Sequence, residues 1–361
     1  MIAGREVCVP VGVLVGLTET CFGRLGLSRE DASVVADVLI DANLRGISSH
    51  GFQRVPIYAK RVRQGLAGGS EEMSVVASFG AVCHMDAGKG LGPAVAVKAL
   101  DKAAALAREY GVGLVALGGS THFGPAGYYA RRAASRGLVG MVMSNAPKTM
   151  APYGALERFV GTNPLAIAIP LARHEPFVLD IATSVVARGK ISQAAQVGEP
   201  IPLGLAIDSE GRPTTDAVAA LAGSVLPFAG PKGSGLALAI GMLCGVLGCA
   251  DFDDELASMY EDFDKPQNIG QLFLVVDPWS VQDRDRGERR WDGLIDRLGA
   301  LAPAEGRGPV QYPGQLEAAR ASERARDGVP VSSAELMAFA ECCAEYGFDD
   351  LATAGRSLVG M

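Results

Sequence analysis

Between about residue 74 and residue 277, short β-branched runs alternate with alanine-rich runs, and this alternation constrains the fold more than any other feature of the chain. VGLVALGG at 112–119 reads as a strand, AGYYARRAASRG at 126–137 as a helix, and LVGMVMSN at 138–145 as the next strand. LAIAIP at 165–170 and FVLDIA at 177–182 are further strands. Strands and helices taking turns predict an α/β layer. The flanks read differently. Ser28-Arg29-Glu30-Asp31 is a capping-box pattern, and Ala32, Val35, Ala36 and Leu39 follow at helical spacing, predicting a helix over 29–44. After a turn at Gly46, a second helical stretch runs to about Gly65. Beyond Asp277 the charge rises, predicting a solvated helix at 283–298 and another at 333–346. The division is therefore a helical segment at 1–73, an α/β region at 74–280, and a helical segment at 281–361 that packs with the first.

Composition narrows the function. A chain of 361 residues with 48% hydrophobic content can build a sizeable core. A net charge of -7 argues against nucleic acid, which wants a basic face. The seven cysteines are odd in number and form no CxxC, which points to reduced thiols in the cytoplasm. The four histidines show no HxH or HExxH spacing, so no metal site is expected. Residues 7–17 are apolar but flanked by Arg5, Glu6 and Glu19, which argues against a signal peptide. The uncharged stretch 233–250 is at the lower edge of a spanning length, yet it is glycine-rich and runs into DFDDE. It predicts a helix buried inside a soluble protein, with no membrane partner.

Several segments carry groups suited to chemistry. If residues 47–54 continue into a helix, His50 and Arg54 share a face one turn apart, just after Ser49. Histidine exchanges a proton near neutral pH, and arginine offers a planar fork for a carboxylate. Gly118 to Gly124 lies between a strand and a helix, where backbone amides favour an anion and where His122 is a second proton-transfer candidate. Gly88-Lys89-Gly90-Leu91-Gly92 has Pro93 in the sixth position and is not GxGxxG, so an ordinary dinucleotide fingerprint is missing. Thr162, Asp180 and Lys232 stand at strand or helix ends, where polar groups meet ligands. No GxSxG elbow supports a serine hydrolase.

Taken in order, Arg45 to Gly51, His122-Phe123-Gly124, Gly161 to Leu165, Asp180 to Ser184, Pro213 to Asp216, Gly230 to Gly233, Gln267 to Gln271 and Tyr312 to Gln315 span nearly the whole chain. In them the chain resembles the malate/L-lactate dehydrogenase-like oxidoreductases, a group that includes L-sulfolactate and ureidoglycolate dehydrogenases. The resemblance implies a homodimer with a non-Rossmann, largely antiparallel nicotinamide-binding domain. It implies hydride transfer between NAD(P)H and C2 of a small 2-hydroxy or 2-keto acid: ureidoglycolate, malate, lactate or sulfolactate. Ser49 and His50 would supply the proton, His122 being the alternative donor; Arg54 would hold the substrate carboxylate, with Thr162 beside it. His122, Phe123, Gly124, Asn145, Asp180, Ile181, Ala182, Lys232, Pro313, Gly314 and Gln315 would hold the cofactor. The phrases look most like ureidoglycolate dehydrogenases, which leans the cofactor towards NAD over NADP. Lys190 stands where related cyclic-imine reductases carry Asp, and Ser48, Leu205 and Ser234 also depart from frequent family residues. A cyclic 2-imino-acid reductase and a non-catalytic ligand-binding relative are the alternatives.

Overall fold

The computed structural model describes residues 6–360; Met1 to Arg5 and Met361 lie outside them. The N-terminal part carries β1 (Glu6–Val9), α1 (Val11–Arg24), α2 (Arg29–Leu44) and α3 (Val55–Arg63). A hairpin of β2 (Ser74–Phe79) and β3 (Val82–Asp86) leads into α4 (Gly92–Tyr110), β4 (Val112–Ser120), α5 (Ala126–Ala134) and β5 (Val139–Ser144). Then come β6 (Leu165–Ile169), β7 (Phe177–Ile181), α6 (Arg188–Val197), β8 (Ala206–Ile207), α7 (Ala217–Ala222) and β9 (Ser224–Val225). The chain continues through α8 (Pro231–Leu247), β10 (Ile269–Val276), α9 (Arg284–Gly299) and α10 (Gln315–Asp327). It ends with β11 (Val329–Ser332), α11 (Ser333–Glu345) and α12 (Asp349–Val359).

Seven strands form the central sheet in the order β2-β3-β4-β10-β5-β6-β7. All neighbours pair antiparallel except β3 and β4, which are parallel. The two-residue period of a strand sorts its side chains to opposite faces. Val115 and Leu117 of β4, Val142 of β5, and Phe273 and Val275 of β10 meet α4 and α5 in the main core. Leu114, Ala116, Met143 and Leu272 face the other way, onto Ile240 and Cys244 of α8. A second core joins the chain ends: β1 pairs with β11, and Leu14, Phe22, Leu39, Phe52 and Tyr58 pack with Phe339 and Leu351.

Three local expectations need correction. First, Ser28 does accept from the Asp31 N–H at 3.1 Å, but the Asp31 carboxylate does not return to the cap. It reaches instead to Ser70, taking the backbone N–H and the hydroxyl at 2.8 Å each. A longer-range contact thus captures the group that would have closed the box, and it ties α2 to the chain leading into the sheet. Asp31→Ala leaves a buried N–H unpaired, and its cost is about 1–3 kcal/mol in urea unfolding. A loss below a few tenths would show that this anchor is not structural. Second, residues 47–54 do not extend a helix. They form two 3-10 turns, Ser48–His50 and Phe52–Arg54, broken at Gly51. Asn43, fully buried, accepts the Phe52 N–H at 2.6 Å. A Cβ at Gly51 would strike that amide, so only glycine lets the turn close.

The third correction concerns α8. It buries only its strip of Gly233, Ser234, Ala237, Ile240, Gly241, Cys244 and Gly245. Met242 and Val246 are 62% and 63% exposed, with Leu238, Leu243 and Leu247 beside them. The helix is apolar on all sides, and the chain covers only one of them. Among the described residues no helix is long and apolar enough to cross a membrane.

Candidate active site

The two turns after α2 lay Ser49, His50 and Arg54 against the loop that joins β4 to α5. That loop is held by backbone packing: Gly92 at the start of α4 donates to Thr121 Oγ1 at 2.8 Å. A Cβ at Gly92 would collide with the Thr121 and His122 carbonyls. As a result the His50 and His122 rings stack, with centroids 5.3 Å apart and planes at 27°. Ser49 Oγ lies 2.9 Å from His50 Nδ1. Arg54 Nε donates to the Ser49 carbonyl at 2.7 Å.

Tyr58, buried and one turn beyond Arg54, places its hydroxyl 2.5 Å from His122 Nδ1. The Gly124 N–H also points at Nδ1, at 3.3 Å. A backbone N–H can only donate, so Nδ1 is the bare nitrogen and the ring proton sits on Nε2. Burial first, then the Arg54 cation, pushes the His50 imidazole down to about 3. His122 is displaced well below its ordinary value by burial, His50 and Arg54. Both rings are therefore neutral at pH 7, but the acceptor nitrogen of His122 is already engaged. The Tyr58 phenol is pushed up by burial, so it remains a donor.

The remaining sequence-nominated residues divide by what they touch. Asp180 on β7 accepts the Gly127 N–H at 2.9 Å, capping α5 from across the sheet edge. Its surroundings push the carboxyl up to about 6, although the side chain stays open to solvent on one side. The Pro313 carbonyl takes the Val178 N–H at 2.9 Å, so the Pro313-Gly314-Gln315 turn docks on the same edge. Ile181 and Ala182 continue that edge, and the Thr183 N–H reaches the Thr162 carbonyl at 3.2 Å. Lys232 is exposed in the first turn of α8. The Phe123 ring stacks on Tyr129 in the core at 4.8 Å, so its side chain serves packing. Asn145 is buried, with its amide donating to the Asp251 carbonyl and its oxygen accepting the Gly270 N–H at 2.9 Å. It braces the end of β5 and points no free side chain outward in this arrangement.

Sequence reasoning did not single out Tyr58 or Asp253, and it quoted Gln267 within a family phrase without giving it a role. Tyr58 stands four residues after Arg54, a helical spacing that could have flagged it. Gln267 Oε1 accepts the His122 N–H at 3.3 Å. Asp253, 5% exposed, accepts from the Gly161 N–H at 2.9 Å and from Asn163 Nδ2 at 2.6 Å, fixing the segment that carries Thr162.

A nicotinamide dinucleotide needs an anion site for its pyrophosphate and polar groups for its sugars. α8 begins without a side-chain cap, its Gly233 N–H turned back to the Phe228 carbonyl at 3.0 Å, so the exposed Lys232 ammonium in its first turn is the group left to meet an anion. The Thr183 hydroxyl is buried without a partner close by. These residues fit such a group. Among the described residues, no cluster of three or more His, Cys, Asp or Glu could hold a metal ion.

A family model described as malate/L-lactate dehydrogenase matches residues 9–339. The chain is 41% identical over 282 residues to a (2R)-3-sulfolactate dehydrogenase (NADP(+)) of Chromohalobacter salexigens, covering 77% of this chain and 84% of that one. It is 35% identical over 317 residues to a ureidoglycolate dehydrogenase (NAD(+)) of Escherichia coli O157:H7, covering 87% and 90%. The solved sulfolactate dehydrogenase of Methanocaldococcus jannaschii superposes with a TM-score of 0.88 at 35% identity, over 95% of this chain and 98% of that one. The chain belongs to the malate/L-lactate dehydrogenase family. It is a dehydrogenase of the hydroxy-acid kind, and NAD or NADP is the cofactor that fits it.

Proposed function

We propose that the enzyme interconverts a small 2-hydroxy acid and its 2-keto acid, with the substrate lying between the His50–His122 stack and Arg54. The stack carries the reading: two neutral imidazoles at 5.3 Å beside a partly buried guanidinium offer a proton acceptor and an anion clamp within one small volume. Arg54 binds the carboxylate through its Nη edge, because Nε is engaged by Ser49. His50, steadied by Ser49, takes the hydroxyl proton during oxidation, while His122, with Nδ1 engaged and Nε2 protonated, would donate a hydrogen bond to the substrate oxygen. Tyr58 keeps His122 in the Nε2-protonated form. When bound, the nicotinamide accepts or supplies the hydride at substrate C2. Lys232, Asp180, Ile181, Ala182, the backbone of His122 to Gly124, and the Pro313-Gly314-Gln315 turn hold it, while Thr162 borders the substrate. This extends dinucleotide binding to a sheet without the parallel, glycine-rich fingerprint.

The relatives named above act on sulfolactate and ureidoglycolate, which favours this reading over a cyclic-imine reductase or a non-catalytic relative. The deciding assay follows reduced-nicotinamide absorbance for malate, lactate, sulfolactate and ureidoglycolate with NAD+ and NADP+. Turnover of at least one, with NAD+ preferred, is expected. Turnover of a cyclic 2-imino acid exceeding every keto acid would overturn the reading.

We also propose a cytoplasmic homodimer, with helical segments 1–73 and 281–361 flanking the 74–280 region. The support is the outer face of α8, which stays apolar and open while the opposite face covers the sheet. A second copy would bury it. Met242→Glu combined with Val246→Glu should convert a dimer to a monomer in light scattering. A wild-type chain that is monomeric at micromolar concentration contradicts the proposal.

A further inference from the structure

Residues 252–267 connect α8 to β10 as an irregular segment, yet they touch both ends of the site. The Tyr260 ring lies over the Arg54 guanidinium, with the Arg54 Cζ 5.6 Å from the ring centroid. Gln267, at the other end, holds the His122 N–H at 3.3 Å and donates to the Ala257 carbonyl at 3.3 Å. The segment is clasped from beneath. Arg61 on α3, only 2% exposed, donates to the carbonyls of Asp262 at 2.9 Å, Lys265 at 3.1 Å and Met259 at 3.4 Å. Met259 itself is set in the helical core. Lys60 lies 4.0 Å from the Phe263 ring centroid, a second grip from the same helix. The Asp262 carboxylate folds back to the Ser258 N–H at 2.7 Å, tightening the turn that presents Tyr260.

A guanidinium binds through two flat faces and an in-plane edge. In Arg54 the Nε position is taken by the Ser49 carbonyl, and the Tyr260 ring stands 5.6 Å from Cζ. What remains is the Nη edge, the geometry that accepts a carboxylate with two parallel bonds. A side chain as long as arginine has many rotamers, and the ring removes those that swing outward. Tyr260 is 56% exposed, so burial of its own surface does not explain its place; the cation beneath it does.

We propose that Tyr260 and Arg61 are positioning residues for the carboxylate subsite: Tyr260 fixes the edge that Arg54 presents, and Arg61 fixes Tyr260. The proposal rests on the reading of Arg54 as the carboxylate clamp. The test measures oxalate binding by calorimetry to enzyme saturated with NADH, together with KM and kcat for the acid turned over best. Tyr260→Ala is expected to weaken oxalate and raise KM about two- to fivefold, the size of an exposed cation–π contact. Cofactor affinity, kcat and thermal stability should stay near wild type, and Tyr260→Phe should restore KM. Arg61→Met should move KM in the same direction; if that variant unfolds, the Tyr260 pair alone decides. Unchanged oxalate affinity in Tyr260→Ala, with weakened affinity in Arg54→Ala, overturns the inference and leaves the clamp standing. Unchanged affinity in both removes the clamp as well.

Discussion

Replacing His50 by alanine lowers turnover by about a hundred- to ten-thousandfold, the usual contribution of a positioned acid–base group. Dinucleotide affinity should be retained, because His50 lies in the turn after α2 and not in the β7 edge or the start of α8. The parallel His122→Ala variant resolves the choice between the two rings. If His50 transfers the proton, His122→Ala falls less and chiefly alters the pH profile; the reverse ranking assigns the step to His122. The sign of the pH dependence follows from the geometry. The unfolded chain protonates this imidazole near its ordinary 6.5, whereas the folded site holds it neutral down to about 3. The native state thus binds fewer protons across that window, and stability declines as pH falls through it. The proton-accepting form persists over the same range, so the oxidative kcat/KM should show no acid limb near 6.5. A limb at that value, lost in His50→Ala, would contradict the buried, cation-flanked setting.

Arg54→Ala should raise KM about ten- to a hundredfold, since a hydrogen bond to a charged group contributes about 1.5–3 kcal/mol. Part of the loss also falls on kcat, because Arg54 Nε braces the Ser49 carbonyl next to His50. Lysine should rescue poorly: a point charge cannot offer the in-plane fork. Unchanged steady-state kinetics in Arg54→Ala would remove the carboxylate clamp.

Much of the fold was legible in the chain. The β4-α5-β5 run and strands β6 and β7 follow from period-two β-branched runs broken by alanine-rich ones, and α2 from its helical spacing. The central strand β10 was not singled out. Buried on both faces, it reads as a continuous apolar run without alternation, a pattern that periodicity does not assign. The shape of the site turned on backbone detail instead. His50 and Arg54 were expected on one helical face. They come together through two 3-10 turns, because Asn43 and Gly51 stop the helix and re-aim it. Tyr58 escaped notice and Gln267 was given no role because their partner, His122, is 64 and 145 residues away in sequence, and no local spacing records such contacts. Helix α8 was legible as a helix but not as half-open, since the hydropathy of a strip cannot say whether the same chain or another covers it.

The most direct test is a structure of the enzyme with NADH or NADPH and oxalate in place of a 2-keto acid. Nicotinamide C4 should lie about 3–3.5 Å from the carbon standing for C2, the separation of a near-attack arrangement. One oxygen should be within hydrogen-bond reach of His50 or His122, and the carboxylate should rest on the Nη edge of Arg54. A nicotinamide ring bound away from both imidazoles and from Arg54 would contradict the account.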